Sequence, residues 1–328
     1  MDERRGEGLT RGRVVRVDRG GVEVSLGSRL LRVDDPAGEL LVGDWVTVDG
    51  EGPRAALGEV LARSSVLSRA SASRTSDEQP LAANVDVVVI VEPAWPGPSV
   101  GRIERLLVLA WSSGATPVIA LTKTDQVDDT RDVLDEVRGA ALGVEVLPVS
   151  AHRGDGLDAL RERLGPGRTF VLVGPSGAGK STLVNAFAGE RVLATADVRS
   201  DGRGRHTTTH RQLVELPDGS ALIDTPGLRS VGLVGDEAAV DDVFGDIADL
   251  ARQCRFRDCA HDSEPGCAVQ AALEEGRVTD RRLESWRRLA REAAFQARRG
   301  DARLEREERA RVRARTKMWR STPTRPSR

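Results

Sequence analysis

No stretch of 18 apolar residues occurs anywhere in the chain, which excludes a helix spanning a bilayer. The opening residues, MDERRGEG, are charged with no apolar segment behind them, so no secretory signal is expected. Cysteine is scarce: three in 328 residues, an odd number that rules out a disulfide framework. A reduced, cytoplasmic protein without membrane contact is the expectation. The most informative shortage is lysine. Of 49 basic residues only Lys123, Lys180 and Lys317 are lysines. Arginine serves almost everywhere else, so each lysine marks a place where a compact ammonium suits and a guanidinium fork does not.

What is present bounds the fold. Apolar residues make up 39% and charged residues 30%, enough for real cores under a heavily charged surface. At ~100–200 residues per domain, the length predicts two or three domains. Charge is unevenly placed. Residues 281–328 carry 17 basic and 6 acidic side chains, or +11, and the other 280 residues carry 32 and 45, or −13. The net −2 conceals a basic tail on an acidic body.

The first ~70 residues predict five short strands, at 14–17, 21–26, 30–33, 45–49 and 57–61, separated by turn-rich segments. A small β-barrel of oligonucleotide-binding type fits, and another small barrel or sandwich fits the pattern equally. Residues 64–79 are polar and rich in serine and arginine, and predict a linker or mobile loop. From residue 82 strands and helices alternate. Strands are expected at 85–91, 116–121, 145–149, 169–173, 212–216 and 220–223. Helices are expected at 101–113, 130–141, 157–164 and 180–188. This alternation predicts a doubly wound, mostly parallel sheet. After residue 237 only helix is expected.

Residues 174–181 read GPSGAGKS, a phosphate-binding loop between an apolar strand and a helix. Gly174, Pro175, Ser176, Gly177, Ala178 and Gly179 would turn their backbone N–H groups toward a polyphosphate, aided by the helix N-terminus that Thr182 continues. Lys180 would reach the β- and γ-phosphates and Ser181 would ligate Mg²⁺. Residues 224–227, DTPG, end a strand 44 residues after Lys180. Asp224 would support the Mg²⁺ shell, and the Gly227 N–H would meet the γ-phosphate. Between these motifs lies SDGRGRHTTTH (200–210), where Thr207, Thr208 or Thr209 would complete the shell; counting back from the next strand favours Thr209. Leu228 stands where many GTPases place a water-orienting glutamine, so intrinsic hydrolysis is expected to be slow. His206 and His210 are candidates for the missing group, and equally for solvent-exposed loop residues.

Two further segments point to guanine. Thr122, Lys123, Thr124 and Asp125 (TKTD) follow one apolar strand, and Ser150 and Ala151 follow another. Asp125 would accept hydrogen bonds from guanine N1 and N2, which adenine cannot supply. Lys123 would pack over the base, and the Ala151 N–H would meet O6. Alone, TKTD could equally be a helix N-terminal turn. Two of the three lysines falling in these two motifs favours the nucleotide reading. Finally, Cys254, Cys259, His261 and Cys267 fall within fourteen residues and match a closed tetrahedral Zn²⁺ site with no open position for chemistry.

The base motifs here precede the phosphate-binding loop, the reverse of the common GTPase order. With GRHTTT, DTPGL and the cysteine–histidine cluster, this order resembles the circularly permuted GTPases of the bacterial small-subunit ribosome biogenesis family (RsgA/YjeQ) over nearly the whole chain. The resemblance implies an oligonucleotide-binding barrel (1–72), a permuted α/β GTPase domain (73–235) and a helical zinc-binding domain with a basic tail (236–328). It also implies a GTP hydrolase acting late in small-subunit assembly, stimulated by ribosomal RNA, and a monomer is expected. Thr122 departs from the usual asparagine. The arginine-dense segment 298–328 fits a solvated helix or disordered tail, or a footprint on RNA phosphates, which the resemblance favours. Rival readings are an ATPase or kinase using the same loop, and an RNA-binding module with a structural nucleotide.

Overall fold

Every second residue of a half-buried strand turns inward, and the valines of the first fifty residues follow that rule. Val14, Val22, Val24, Val33, Val46 and Val48 join Leu40 in one buried cluster. The computed structural model describes residues 9–18, 20–35, 38–50, 56–70, 78–188, 211–224, 236–262 and 264–297. Around the valine cluster run strands β1 (Leu9–Asp18), β2 (Gly21–Ser25), β3 (Leu30–Asp34), β4 (Trp45–Asp49) and β5 (Ala56–Val60). They pair antiparallel in the order β3-β2-β1-β4-β5. β1 pairs with β4 over its first half and with β2 over its second, with a register shift between Val14 and Arg16. That long shared strand lets the sheet curl about its core as a barrel-like unit. Buried Asp44 secures its exit, gripping Arg63 at 2.7 Å through both carboxylate oxygens.

Residues 66–70 and 78–79, within the expected linker, are strands, and 71–77 lie outside the described residues. β6 (Val66–Ala70) and β7 (Glu78–Ala83) form an antiparallel hairpin. Leu67 is fully buried while Arg69 and Gln79 bond across its outer face. With one apolar residue turned inward among serines and arginines, the strand carries the composition of a loop.

The second unit is the expected parallel sheet. β8 (Val87–Pro93), β9 (Thr116–Thr122), β10 (Val146–Pro148), β11 (Thr169–Val173) and β13 (Ala221–Asp224) run parallel, and β12 (Arg211–Glu215) is antiparallel beside β13. β8 shows why its sequence is continuously apolar. Val88 and Ile90 enter the core on one face, and Val87, Val89 and Val91 enter the core on the other. The first face is shared with Ile103 and Leu107 of α1 (Val100–Ser113) and Leu134 and Val137 of α2 (Arg131–Ala140). The second is shared with Leu160 of α3 (Leu157–Leu164) and Leu183 of α4 (Lys180–Ala188). β12 also pairs with β1, so barrel and α/β unit form one continuous sheet. Arg13 of β1 reinforces the junction by donating to Thr169 Oγ1 at 2.6 Å.

The described C-terminal residues hold four helices and no strand, as expected: α5 (Glu237–Val243), α6 (Gly245–Ala251), α7 (Ala268–Glu274) and α8, residues 280–297, with turns and irregular chain between α6 and α7. Asp236 caps α5 by accepting from the Ala239 N–H at 2.8 Å. Ala239, Val240, Phe244, Leu283 and Leu289 extend the core that α1 covers, so this part has no separate hydrophobic centre. Among the described residues no helix is long and apolar enough to cross a membrane.

Candidate functional site

Parallel strands end on one side, and loops at those carboxyl ends are where open α/β sheets bind ligands. The sheet order β10-β9-β8-β11-β13 therefore lines up the segments after β10 (Ser150, Ala151), β9 (Thr122–Asp125), β11 (the glycine-rich loop) and β13 (Asp224) along one edge. Segments scattered through a hundred residues become neighbours.

The glycine-rich loop is shaped by backbone that other residues adopt poorly. Gly174 has φ 141°, and a Cβ there would lie 2.1 Å from the Val91 carbonyl oxygen. Gly177 and Gly179 have φ of 77° and 89°. Lys180 opens α4 and donates from Nζ to the carbonyls of Gly174 (2.7 Å) and Pro175 (2.6 Å). Its ammonium thus sits inside the loop. Ser181 and Thr182 follow in the first turn of α4, the first partly exposed and the second exposed. Ser176 and Ala178 complete the loop, with Ala178 buried.

Lys123 is one of three non-glycine residues described with positive φ, at 57°. Such strain is retained where surroundings demand it and concentrates at ligand sites. It turns the chain into a short 3₁₀ helix over Thr124–Gln126 that carries Asp125. The Asp125 carboxylate accepts from Ser150 Oγ at 2.7 Å. That hydroxyl holds the Asp125 carboxyl below its ordinary pKa, so it stays an acceptor-only group. Ser150 in turn accepts from the Arg153 N–H at 3.1 Å. A cleft of about 380 Å³ joins Thr122, Lys123, Asp125 and Ala151 to Gly179 and Thr182 of the phosphate-binding loop. This is the size of a small-molecule site.

Three features of this cleft escaped sequence reasoning. Thr122, buried, donates its hydroxyl to the Ala178 carbonyl at 2.6 Å, with the Glu92 carbonyl also in reach at 3.3 Å. The threonine that replaces asparagine thus ties the base-binding segment to the phosphate-binding loop. Gln126 and His152 also line the cleft. His152 directly follows Ser150–Ala151, and that adjacency was the only signal available. Asp224 ends β13 at the same sheet edge, paired in register with Gln212. Thr207, Thr208, Thr209, Gly227, Leu228, His206 and His210 lie outside the described residues, as does 298–328.

The second site lies between α6 and α8. The ligand atoms of Cys254, Cys259, His261 and Cys267 all fall within 4.8 Å of one another. His261 Nδ1 is 3.5 Å from both Cys254 Sγ and Cys267 Sγ, and those sulfurs are 3.9 Å apart. A tetrahedral Zn²⁺ with ordinary bond lengths requires about 3.5 Å between nitrogen and sulfur and about 3.8 Å between sulfurs. The spacing of Cys254, His261 and Cys267 therefore fits that ion, with Cys259 close enough to supply the fourth donor. Burial holds the His261 imidazole below its ordinary pKa, favouring the neutral form that ligates. Cys267 caps α7, its sulfur accepting from the Gln270 N–H at 3.4 Å. Gln270 and Arg287 both donate to the His261 carbonyl, and Trp286 packs edge-on against its ring at 5.5 Å. These contacts fix the ligand's orientation.

Known proteins resemble this chain in both sequence and fold. A model of the RsgA GTPase family matches residues 60–234. A relative from Streptomyces coelicolor, named small ribosomal subunit biogenesis GTPase RsgA, is 50% identical over 297 residues, or 87% of this chain and 81% of that protein. Among crystal structures, YjeQ from Thermotoga maritima is similar with a TM-score of 0.64 and 27% identity, covering 87% of this chain and 99% of that one. YloQ, described as a circularly permuted GTPase, shares the fold with a TM-score of 0.63 at 24% identity over 90% of this chain and 99% of its own.

Proposed function

The chain belongs to the RsgA GTPase family and is a GTPase, and on that premise we propose that it is a late assembly factor for the small ribosomal subunit. Nucleotide state would control its binding to and release from that particle. The observation that carries the nucleotide part is the cleft joining Asp125 and Ala151 to Gly179 and Thr182. The ribosomal part rests on the name of the Streptomyces relative.

In this reading Asp125 accepts from guanine N1 and N2, Lys123 packs over the base, and the Ala151 N–H meets O6, flanked by Thr122, Thr124 and Ser150. The backbone of 174–179 and the Lys180 ammonium bind the phosphates, continued by Ser181 and Thr182. Mg²⁺, when bound, neutralises charge on the β- and γ-phosphates. Its oxygen donors are Ser181 and Thr209, with Asp224 in support, a set that suits a hard cation. Gly227 offers its N–H to the γ-phosphate. Zn²⁺ held by Cys254, Cys259, His261 and Cys267 has a structural role, because four protein ligands leave no position for substrate. The chain divides into a barrel (1–72), a permuted GTPase domain (73–235) and a zinc-binding domain (236–328), and works as a cytoplasmic monomer contacting ribosomal RNA.

Phosphate release from GTP, measured with and without purified small subunits, tests the proposal. Stimulation by the subunit, with no release from ATP, is expected. An unchanged rate would remove the ribosomal part, and equal turnover of ATP would remove the base assignment.

A further inference from the structure

Helix α1 meets the nucleotide site at one end and the C-terminal helices along its side, and charged residues make both contacts. In its first turn, Arg102 forms a bidentate pair with Glu92, at 2.5 Å and 2.7 Å. Glu92 is fully buried near the end of β8, the strand between the base-binding and phosphate-binding strands. Its backbone carbonyl is within reach of the Thr122 hydroxyl that bonds Ala178. Arg102 therefore seats α1 on the buried residue whose carbonyl lies beside Thr122, which lines the cleft.

The next residues of α1 reach the other way. Glu104, fully buried, accepts from Arg281 Nη1 at 3.0 Å and lies 3.5 Å from Arg282. Arg105 pairs with Glu292 at 2.9 Å. All three partners sit on α8. Arg282 extends the network, gripping Asp246 at 2.7 Å and 2.8 Å and donating to the Val243 carbonyl, with its guanidinium 4.8 Å from the centre of the Phe244 ring. Farther along α8, Arg287 bonds the His261 carbonyl and pairs with Asp262 at 2.8 Å, inside the metal-ligand loop.

Apolar contacts tolerate small slips between helices, but buried ion pairs do not. Sliding α8 along α1 would strand Glu104 or Arg282 as an uncompensated buried charge. The interface therefore has few allowed positions. One oxygen of Glu104, Oε2, is already buried with no hydrogen-bond partner in the described structure, so the network is not at its fullest pairing here.

We infer that Glu104, with Arg281 and Arg282, is a positioning residue that couples the guanine-nucleotide cleft to the metal-binding end through α1, so that nucleotide binding and the docking of α8 strengthen one another. This coupling rests on the proposal that the nucleotide occupies the cleft.

The test uses the full-length, zinc-loaded protein and reads hydrogen–deuterium exchange over 280–297, with and without saturating GDP. Fluorescent GDP binding is measured on the same samples. In the wild type, GDP should slow exchange over 280–297 by about fivefold or more, within the usual range of coupling between sites. In Arg281→Ala, at a half-exposed position, that slowing should shrink, and GDP affinity should fall by the same factor, because linkage is reciprocal. Glu104→Gln should do the same more strongly. A merely structural role would speed exchange equally with and without GDP. No GDP effect over 280–297 in the wild type, or an effect fully retained in Arg281→Ala, overturns the inference while GDP binding leaves the cleft assignment standing. Failure of the wild type to bind GDP would overturn both.

Discussion

Replacing Thr122 with valine probes the contact that joins the two halves of the nucleotide cleft. Valine has nearly the same shape, so packing in this buried position is kept while the hydroxyl proton is lost. That proton is donated to the Ala178 carbonyl over 2.6 Å. Depriving a buried acceptor of its donor costs about 1–3 kcal/mol. If that cost falls on the closed form of the phosphate-binding loop, GDP affinity should fall by about five- to 150-fold. Thr122→Ser keeps the donor and should stay within about threefold of wild type, a change of under 1 kcal/mol. Fluorescence anisotropy of labelled GDP measures the affinities, and thermal melts without nucleotide reveal any general loss of stability. A valine variant that binds GDP like the wild type would show that the bond does not shape the loop. A serine variant that loses more affinity than the valine variant would show that packing, not the proton, is what matters.

Three other substitutions address separate contacts. Ser150→Ala removes the hydroxyl that holds the Asp125 carboxyl below its ordinary 3.8. In the wild type the carboxylate is charged above the lowered value, so GDP binding should persist as pH falls and weaken only below the ordinary carboxylate range. In the variant that loss should begin at higher pH, and identical pH profiles would refute the role given to Ser150. Gly174→Ala places a methyl group 2.1 Å from the Val91 carbonyl oxygen at φ 141°, so both nucleotide binding and melting temperature should drop. An unchanged melting temperature would mean that the loop adapts. Cys259→Ser should lower bound zinc below one per chain and loosen the helices after residue 254, read by metal analysis and hydrogen exchange. Full zinc occupancy would dismiss Cys259 as a ligand.

Local chemistry was legible in the sequence, while long-range pairing was not. The α/β elements and the helix opening at Lys180 follow from apolar periodicity and glycine placement, which act over a few residues. Cys254, Cys259, His261 and Cys267 lie within fourteen residues, so their spacing alone suggested the cluster that the fold brings together. The hairpin of β6 and β7 was missed because burial of Leu67 on one face leaves a composition indistinguishable from a loop. The Thr122–Ala178 bond spans 56 positions and the Glu104–Arg281 pair spans 177. Neither has a local signature, since a threonine after a strand and a glutamate on a helix are ordinary residues until the fold supplies their partners.

The central claim is that Asp125 reads the guanine edge from the cleft it shares with Lys180's loop. Xanthine differs from guanine by a carbonyl in place of the 2-amino group, so an amide that can donate should prefer it where a carboxylate cannot. Binding of GDP and xanthosine diphosphate to wild type and to Asp125→Asn, measured side by side, is the most direct test. The account predicts that the wild type binds GDP and discriminates against the xanthine nucleotide, and that the variant reverses the preference. A variant that retains wild-type affinity for GDP would contradict it.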